Sequence, residues 1–137
     1  MNKKEQRCFD MARAVSYMSD YGKIKIGAVI ISKKNLISVA SNMRKSHPLQ
    51  KQLNKFRFSP TDTSKDYIHA ELSAIIKANT KNLADSIMYI YREDRNGNLA
   101  MCRPCPACMK EIQKVGIKKI YYTTRNGFCK EEIAKEL

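Results

Sequence analysis

The chain has 137 residues, a length that suits one domain with its own core, and its 26 Lys and Arg against 13 Asp and Glu leave a net charge of +13. The longest apolar runs, such as Ile26 to Ile31, fall far short of the roughly 20 residues that cross a bilayer, and the first residues are charged rather than leader-like. A membrane-spanning helix is thereby excluded and a cytoplasmic protein is expected.

The five cysteines are an odd number, and Cys102, Cys105 and Cys108 are crowded together, which suits a metal in a reducing compartment better than a disulfide framework. The positive charge is uneven: nine basic residues and no acidic one fall between Tyr21 and Thr61. Such a bias reads either as a solvated surface or as a face for an anionic partner, a nucleotide phosphate or a polynucleotide backbone.

In chain order, Cys8, Met11, Ala12, Val15 and Met18 recur at spacings of three and four, which predicts a helix over Lys3 to Met18 with Gly22 beyond its end. Two β-like runs follow, Ile24 to Ser32 and Leu36 to Asn42, and the short break between them predicts a hairpin. From Met43 to Tyr67 the pattern lapses into basic and turn-forming residues, with Pro48 and Pro60, and a long functional loop is expected. His69 to Ala78 is helical in pattern, Ser86 to Arg92 is a third strand, and Asn96-Gly97 marks a turn. Pro106 suits the first turn of a helix that runs to Val115 and exits at Gly116. Lys118 to Thr123 reads as a fourth strand and Glu131 to Leu137 as a last short helix. No repeat or linker divides the chain, so residues 1–137 are expected to form one α/β domain with helices on both faces of a mixed sheet.

The informative residues are His69-Ala70-Glu71 and Pro104-Cys105-Pro106-Ala107-Cys108, each at the expected N-terminus of a helix. Side chains two apart in a helix point to nearly opposite sides, so His69 and Glu71 share a target only if it lies off the helix end. Cys105 and Cys108, three apart across a first helical turn, can close on one ion, and positive helix ends favour the thiolate. One imidazole and two thiolates leave a fourth tetrahedral position for water, the arrangement of a catalytic Zn2+ site. A His-x-Glu alone is weak and a lone Cys-x-x-Cys moderate; together and in this order they are strong. Cys102 forms a second Cys-x-x-Cys with Cys105, but only the later pair opens the helix. Cys8 and Cys129 read as packed or free thiols, and His47 as a loop residue.

These motifs resemble those of the cytidine and deoxycytidylate deaminase superfamily, which also includes deaminases of tRNA adenosine and of cytosine in polynucleotides. Ile26-Gly27-Ala28-Val29-Ile30 looks like the family's first strand, Ser41-Asn42 like its substrate-contacting asparagine, and Gly116 to Tyr122 like the strand after its cysteine helix. The resemblance implies a three-layer α/β/α fold around a mixed five-stranded sheet, one strand more than the pattern shows. It also implies that zinc is held by His69, Cys105 and Cys108, and that Glu71 moves the protons of a hydrolytic deamination. Asn42 and Ala70 are the substrate contacts expected from it. Arg44 and Arg103, beside Asn42 and the cysteines, are the basic residues expected to meet phosphate.

Arg103 stands before Pro104 where adenosine deaminases of tRNA typically carry glutamate, and the stretch between Asn42 and His69 is long. The preferred expectation is therefore an enzyme that converts a deoxycytidylate-like nucleotide to its uracil counterpart and ammonia. One alternative is action on cytosine or adenine within single-stranded DNA or RNA, held through the basic segment Lys23 to Arg57, with Phe56, Phe58 and Tyr67 as stacking platforms. A second alternative is a catalytically silent zinc-binding module. A homo-oligomer is compatible with each.

Overall fold

The structure, a computed structural model, describes residues 1–54, 67–80 and 82–134. Lys55, Phe56, Arg57, Phe58 and Pro60, and the last residues of the expected final helix, lie outside the described residues. Among those described, no helix is long and apolar enough to cross a membrane.

The elements are α1 (Lys3–Ser16), β1 (Lys25–Ser32), β2 (Asn35–Ser41), α2 (Pro48–Leu53), α3 (Ala70–Ala78), β3 (Ser86–Glu93), α4 (Pro106–Val115), β4 (Lys119–Thr124) and β5 (Gly127–Glu132). They build one five-stranded mixed sheet in the order β2-β1-β3-β4-β5. The β1–β2 hairpin is antiparallel, as the pattern predicts; β1 also runs antiparallel to β3, whereas β3 and β4 are parallel neighbours.

Alternation along each strand divides the core in two. Val29, Ile31, Tyr89, Tyr91 and Tyr121 point to one face and meet Cys8, Phe9 and Ala12 of α1. Ala28, Ile30, Met88, Ile90, Ile120 and Tyr122 point to the other and meet Ala70, Ala74 and Ile75 of α3 and Ile112 and Val115 of α4. Each large side chain buried this fully contributes about 1.5–3 kcal/mol of transfer free energy, so both faces are substantial cores. Gly27 permits the closeness of α1, because a Cβ there would overlap the Ala12 carbonyl oxygen.

Two expectations are corrected. The segment Glu131 to Leu137 does not begin a helix: Glu131 and Glu132 belong to β5, which pairs antiparallel with β4 and supplies the fifth strand. The cause is local, since Thr124 to Gly127 closes a two-residue turn in which Gly127 takes a φ of 129°. An edge strand none of whose six residues is buried has no buried face to set a visible period. The stretch from Met43 to Tyr67 is not wholly irregular either, since it contains α2, with His47 as N-cap and Pro48 in the first turn.

Candidate active site

Two helix N-termini meet at the site. His69 is the N-cap of α3 and Cys105 the N-cap of α4, and neither side chain caps its own helix. Both side chains sit at a helix end, where the backbone dipoles favour negative charge.

The Nδ1 of His69 lies 3.6 Å from the sulfur of Cys105 and 3.3 Å from that of Cys108. All three potential ligand atoms fall within 4.8 Å of one another. Bonds of about 2.0–2.3 Å from one tetrahedral ion imply ligand separations of about 3.3–3.8 Å, so this donor set fits a metal of zinc's size. The sequence thus brought the intended trio together. Cys102 goes elsewhere: its sulfur sits 3.4 Å from the Ile90 carbonyl oxygen and 3.1 Å from Thr123 Oγ1, and burial pushes its thiol up to about 12. Cys105 is the opposite case. Its hydrogen bond with Cys108 outweighs the effect of burial, and with help from His69 the thiol comes down to about 3.

Glu71, in the first turn of α3, is 4 % exposed, and its Oε1 has no hydrogen-bond partner among the described residues. Burial pushes its carboxyl above the ordinary range, against an opposing pull from His69. An unpartnered buried carboxyl oxygen costs stability, so its retention beside the imidazole and the sulfurs is what a proton-transfer group would require.

The site opens into a cavity of about 440 Å³, lined among others by Tyr21, Ile26, Asn42, Tyr67, Glu71 and Arg92. Backbone pairing of Met43 with Ile68 and of Lys45 with Ile68 brings the chain before His69 alongside the end of β2, which closes the long sequence gap between Asn42 and His69.

The other expected contacts are placed unevenly. Asn42 lines the cavity, but its side chain bonds the backbone of β1's entry, accepting from Ile26 N at 2.9 Å and donating to Ile24 O at 2.8 Å. Arg103 also lines it, with its guanidinium held by both carboxylate oxygens of Glu131 at 2.9 and 2.8 Å. Arg44 is exposed and is not among the lining residues, its backbone N–H donating to Asp20, and Ala70, the first residue of α3, is packed in the core.

Sequence reasoning missed Gln50. This residue of α2 is fully buried, accepts from the His69 backbone N–H at 3.1 Å, and donates to Asn54 at 2.9 Å. The histidine-proline start of α2 was the available signal.

Comparison with known proteins agrees with this geometry. Residues 2–124 match the family model described as the cytidine and deoxycytidylate deaminase zinc-binding region. A Caenorhabditis elegans protein named "Probable deoxycytidylate deaminase" is 29% identical over 125 residues, which are 88% of this chain but only 57% of the relative's length. Among solved structures, the dCMP deaminase of cyanophage S-TIM5 in apo form has a TM-score of 0.63 at 22% identity, over 89% of this chain and 84% of that one. A cytidine deaminase from Burkholderia pseudomallei has a TM-score of 0.68 at 13% identity, over 97% and 94%. At such identities the two structures speak for the fold alone. With the family match covering nearly the whole chain, it belongs to the cytidine and deoxycytidylate deaminase family.

Proposed function

We propose that this chain is a zinc-dependent hydrolytic deaminase whose substrate is a free cytosine nucleotide of the deoxycytidylate kind, with the uracil nucleotide and ammonia as products. The observation that carries the reading is the buried, unpartnered Oε1 of Glu71 beside the His69, Cys105 and Cys108 donors. A bound zinc ion supplies the acidity that makes water a nucleophile near neutral pH. Every remaining step belongs to side chains of the protein.

Glu71 takes the proton that the attacking water sheds, and its raised affinity for protons suits it to hold that proton at its buried position. It then delivers protons to the ring nitrogen and to the departing amine, so that ammonia leaves. Water adds to the ring carbon and the carbon–nitrogen bond breaks, with no change of oxidation state. Apolar Ile24, Ile26 and Met43 and the two tyrosines Tyr21 and Tyr67 offer the flat surfaces a pyrimidine needs. The Caenorhabditis elegans relative bears a deoxycytidylate deaminase name, and the cyanophage enzyme has also been solved in complex with dCMP and dUMP.

The polynucleotide alternative draws on the edge-to-face pair of Tyr21 and Tyr67, 5.9 Å apart at the cavity, as a place for a neighbouring base. Incubation of the zinc-loaded protein with cytosine nucleosides, nucleotides and oligonucleotides, read by ammonia release and product mass, separates the two readings. Turnover of deoxycytidylate is expected; turnover confined to oligonucleotides overturns the first reading, and none at all favours a silent module.

A further inference from the structure

Three arginines near the site compete for an anionic substrate, and the structure ranks them differently from their order in the sequence. Arg44 is exposed and is not among the cavity-lining residues. Arg103 reaches the cavity with its charge already matched by Glu131 in a two-bonded pair. Arg92 is the third, and its situation is unlike theirs.

Arg92 stands near the end of β3 and shares the parity of Met88 and Ile90, so it projects on the face that carries α3 and α4. It is registered opposite Ile26, and both residues line the cavity. Its backbone is fixed on both sides: the N–H donates to Thr123 Oγ1 at 3.2 Å, and the carbonyl oxygen accepts from Ala100 at 3.0 Å. The guanidinium, by contrast, is poorly satisfied. Nη1 donates to the carbonyl oxygen of Met101, a half-exposed residue of the same cavity, at 3.2 Å. The Nε is buried with no acceptor, and no carboxylate forms an ion pair with this arginine among the described residues. Among the described residues that line the cavity, the one carboxylate is that of Glu71.

A guanidinium with unused donors, carried by a fixed strand backbone at the wall of an otherwise largely apolar cavity, suits a planar or tetrahedral oxyanion. We propose that Arg92 is the residue that selects an anionic substrate, by donating to the phosphate ester oxygens of a cytosine nucleotide whose base enters toward Glu71. This inference rests on the proposed deamination for the identity of the base, but not for the role of the arginine.

Calorimetric titration tests it, using the full zinc-loaded chain in a Glu71→Gln background so that no ligand is consumed. Deoxycytidine, deoxycytidylate and a trinucleotide with a central cytosine are compared. Charge-assisted hydrogen bonds correspond to about 10- to 150-fold in affinity. The unmodified Arg92 protein is expected to bind deoxycytidylate tighter than deoxycytidine by a ratio in that range. Arg92→Gln is expected to bring the ratio near one by weakening the nucleotide alone, and Arg92→Lys to restore part of it. A trinucleotide that binds as tightly as the mononucleotide, with the same dependence on Arg92, upholds the arginine's role and moves the phosphate into a strand. Equal affinity for nucleoside and nucleotide in the Arg92 protein, or equal weakening of both by Arg92→Gln, overturns the proposal. If Arg92→Gln loses its fold or its zinc, the nucleoside-to-nucleotide ratio with Arg92 intact and the Arg92→Lys ratio decide. If no cytosine compound is turned over by the unsubstituted enzyme, the deaminase reading fails while these binding ratios still judge Arg92.

Discussion

The two faces of β3 carry opposite kinds of charge management, and the contrast is sharpest between neighbours. Glu93 points to the α1 face, where it accepts from Arg13, Tyr17 and Tyr91. Arg92 points to the other face, where much of its hydrogen-bonding capacity is unspent. The α1 face behaves as scaffold, with polar groups matched and aromatic rings packed edge to face and stacked. The opposite face holds Glu71 and Arg92 in conditions that cost stability, which is the usual mark of a working surface. A substitution on one face should therefore change what a substitution on the other does not.

The largest expected effect is that of Glu71→Ala. It removes the proposed proton carrier and should lower kcat by about 10²–10⁴-fold, while zinc content is retained and the Tm of the metal-free protein does not fall. Ammonia release, metal analysis and a thermal melt check the three parts. A loss of zinc in step with activity would make Glu71 a structural residue and erase the contrast.

The converse substitution is Phe9→Ala. Phe9 is 1% exposed and packs on Tyr89, at 5.3 Å between ring centroids and an interplanar angle of 85°, and on Tyr121 at 6.1 Å. Its truncation should cost about 3–5 kcal/mol, a fall in Tm on the order of 10 °C for a chain of this size, with kcat/KM per folded molecule unchanged. A kinetic defect without a stability defect would mean that the α1 face reaches the site.

A smaller effect sharpens the account of Glu93. Burial alone would push its carboxyl up, but the hydroxyls of Tyr91 and Tyr17 and the charge of Arg13 outweigh that and hold it below the ordinary value. A carboxyl with a depressed folded pKa stabilises above its unfolded pKa and loses that contribution as pH falls through the folded one. Glu93→Gln should thus lower Tm at pH 7 by a few degrees, on the order of 2–4 °C, and the gap to the parent should narrow below about pH 4. A gap that stays constant with pH would assign the effect to packing rather than charge.

Much of this contrast was legible in the sequence, for physical reasons that also explain the failures. Alternating strands and a helix with apolar spacing are visible because one face of each is buried, and the hairpin, α3 and α4 follow from that. The metal trio was legible because helix starts were marked by Pro106 and by the onset of the apolar pattern after His69. The strand β5 was not, since Phe128, Cys129, Lys130 and Glu132 are all exposed and impose no period. Asn126-Gly127 was the better signal. The proposed order of the arginines departs from the one expected from sequence because proximity to Asn42 and the cysteines says nothing about which guanidinium already has a carboxylate. Glu131, which matches Arg103, lies 28 positions away and comes into reach only through β5.

The account stands on the donor set around the ion, and zinc K-edge X-ray absorption of the zinc-loaded protein tests it most directly. Two sulfur neighbours at about 2.3 Å and two lighter neighbours at about 2.0–2.1 Å are expected, one from His69 and one from solvent. Three or four sulfurs around the ion would draw Cys102 or another thiol into the site, fill the position that water needs, and contradict the assignment.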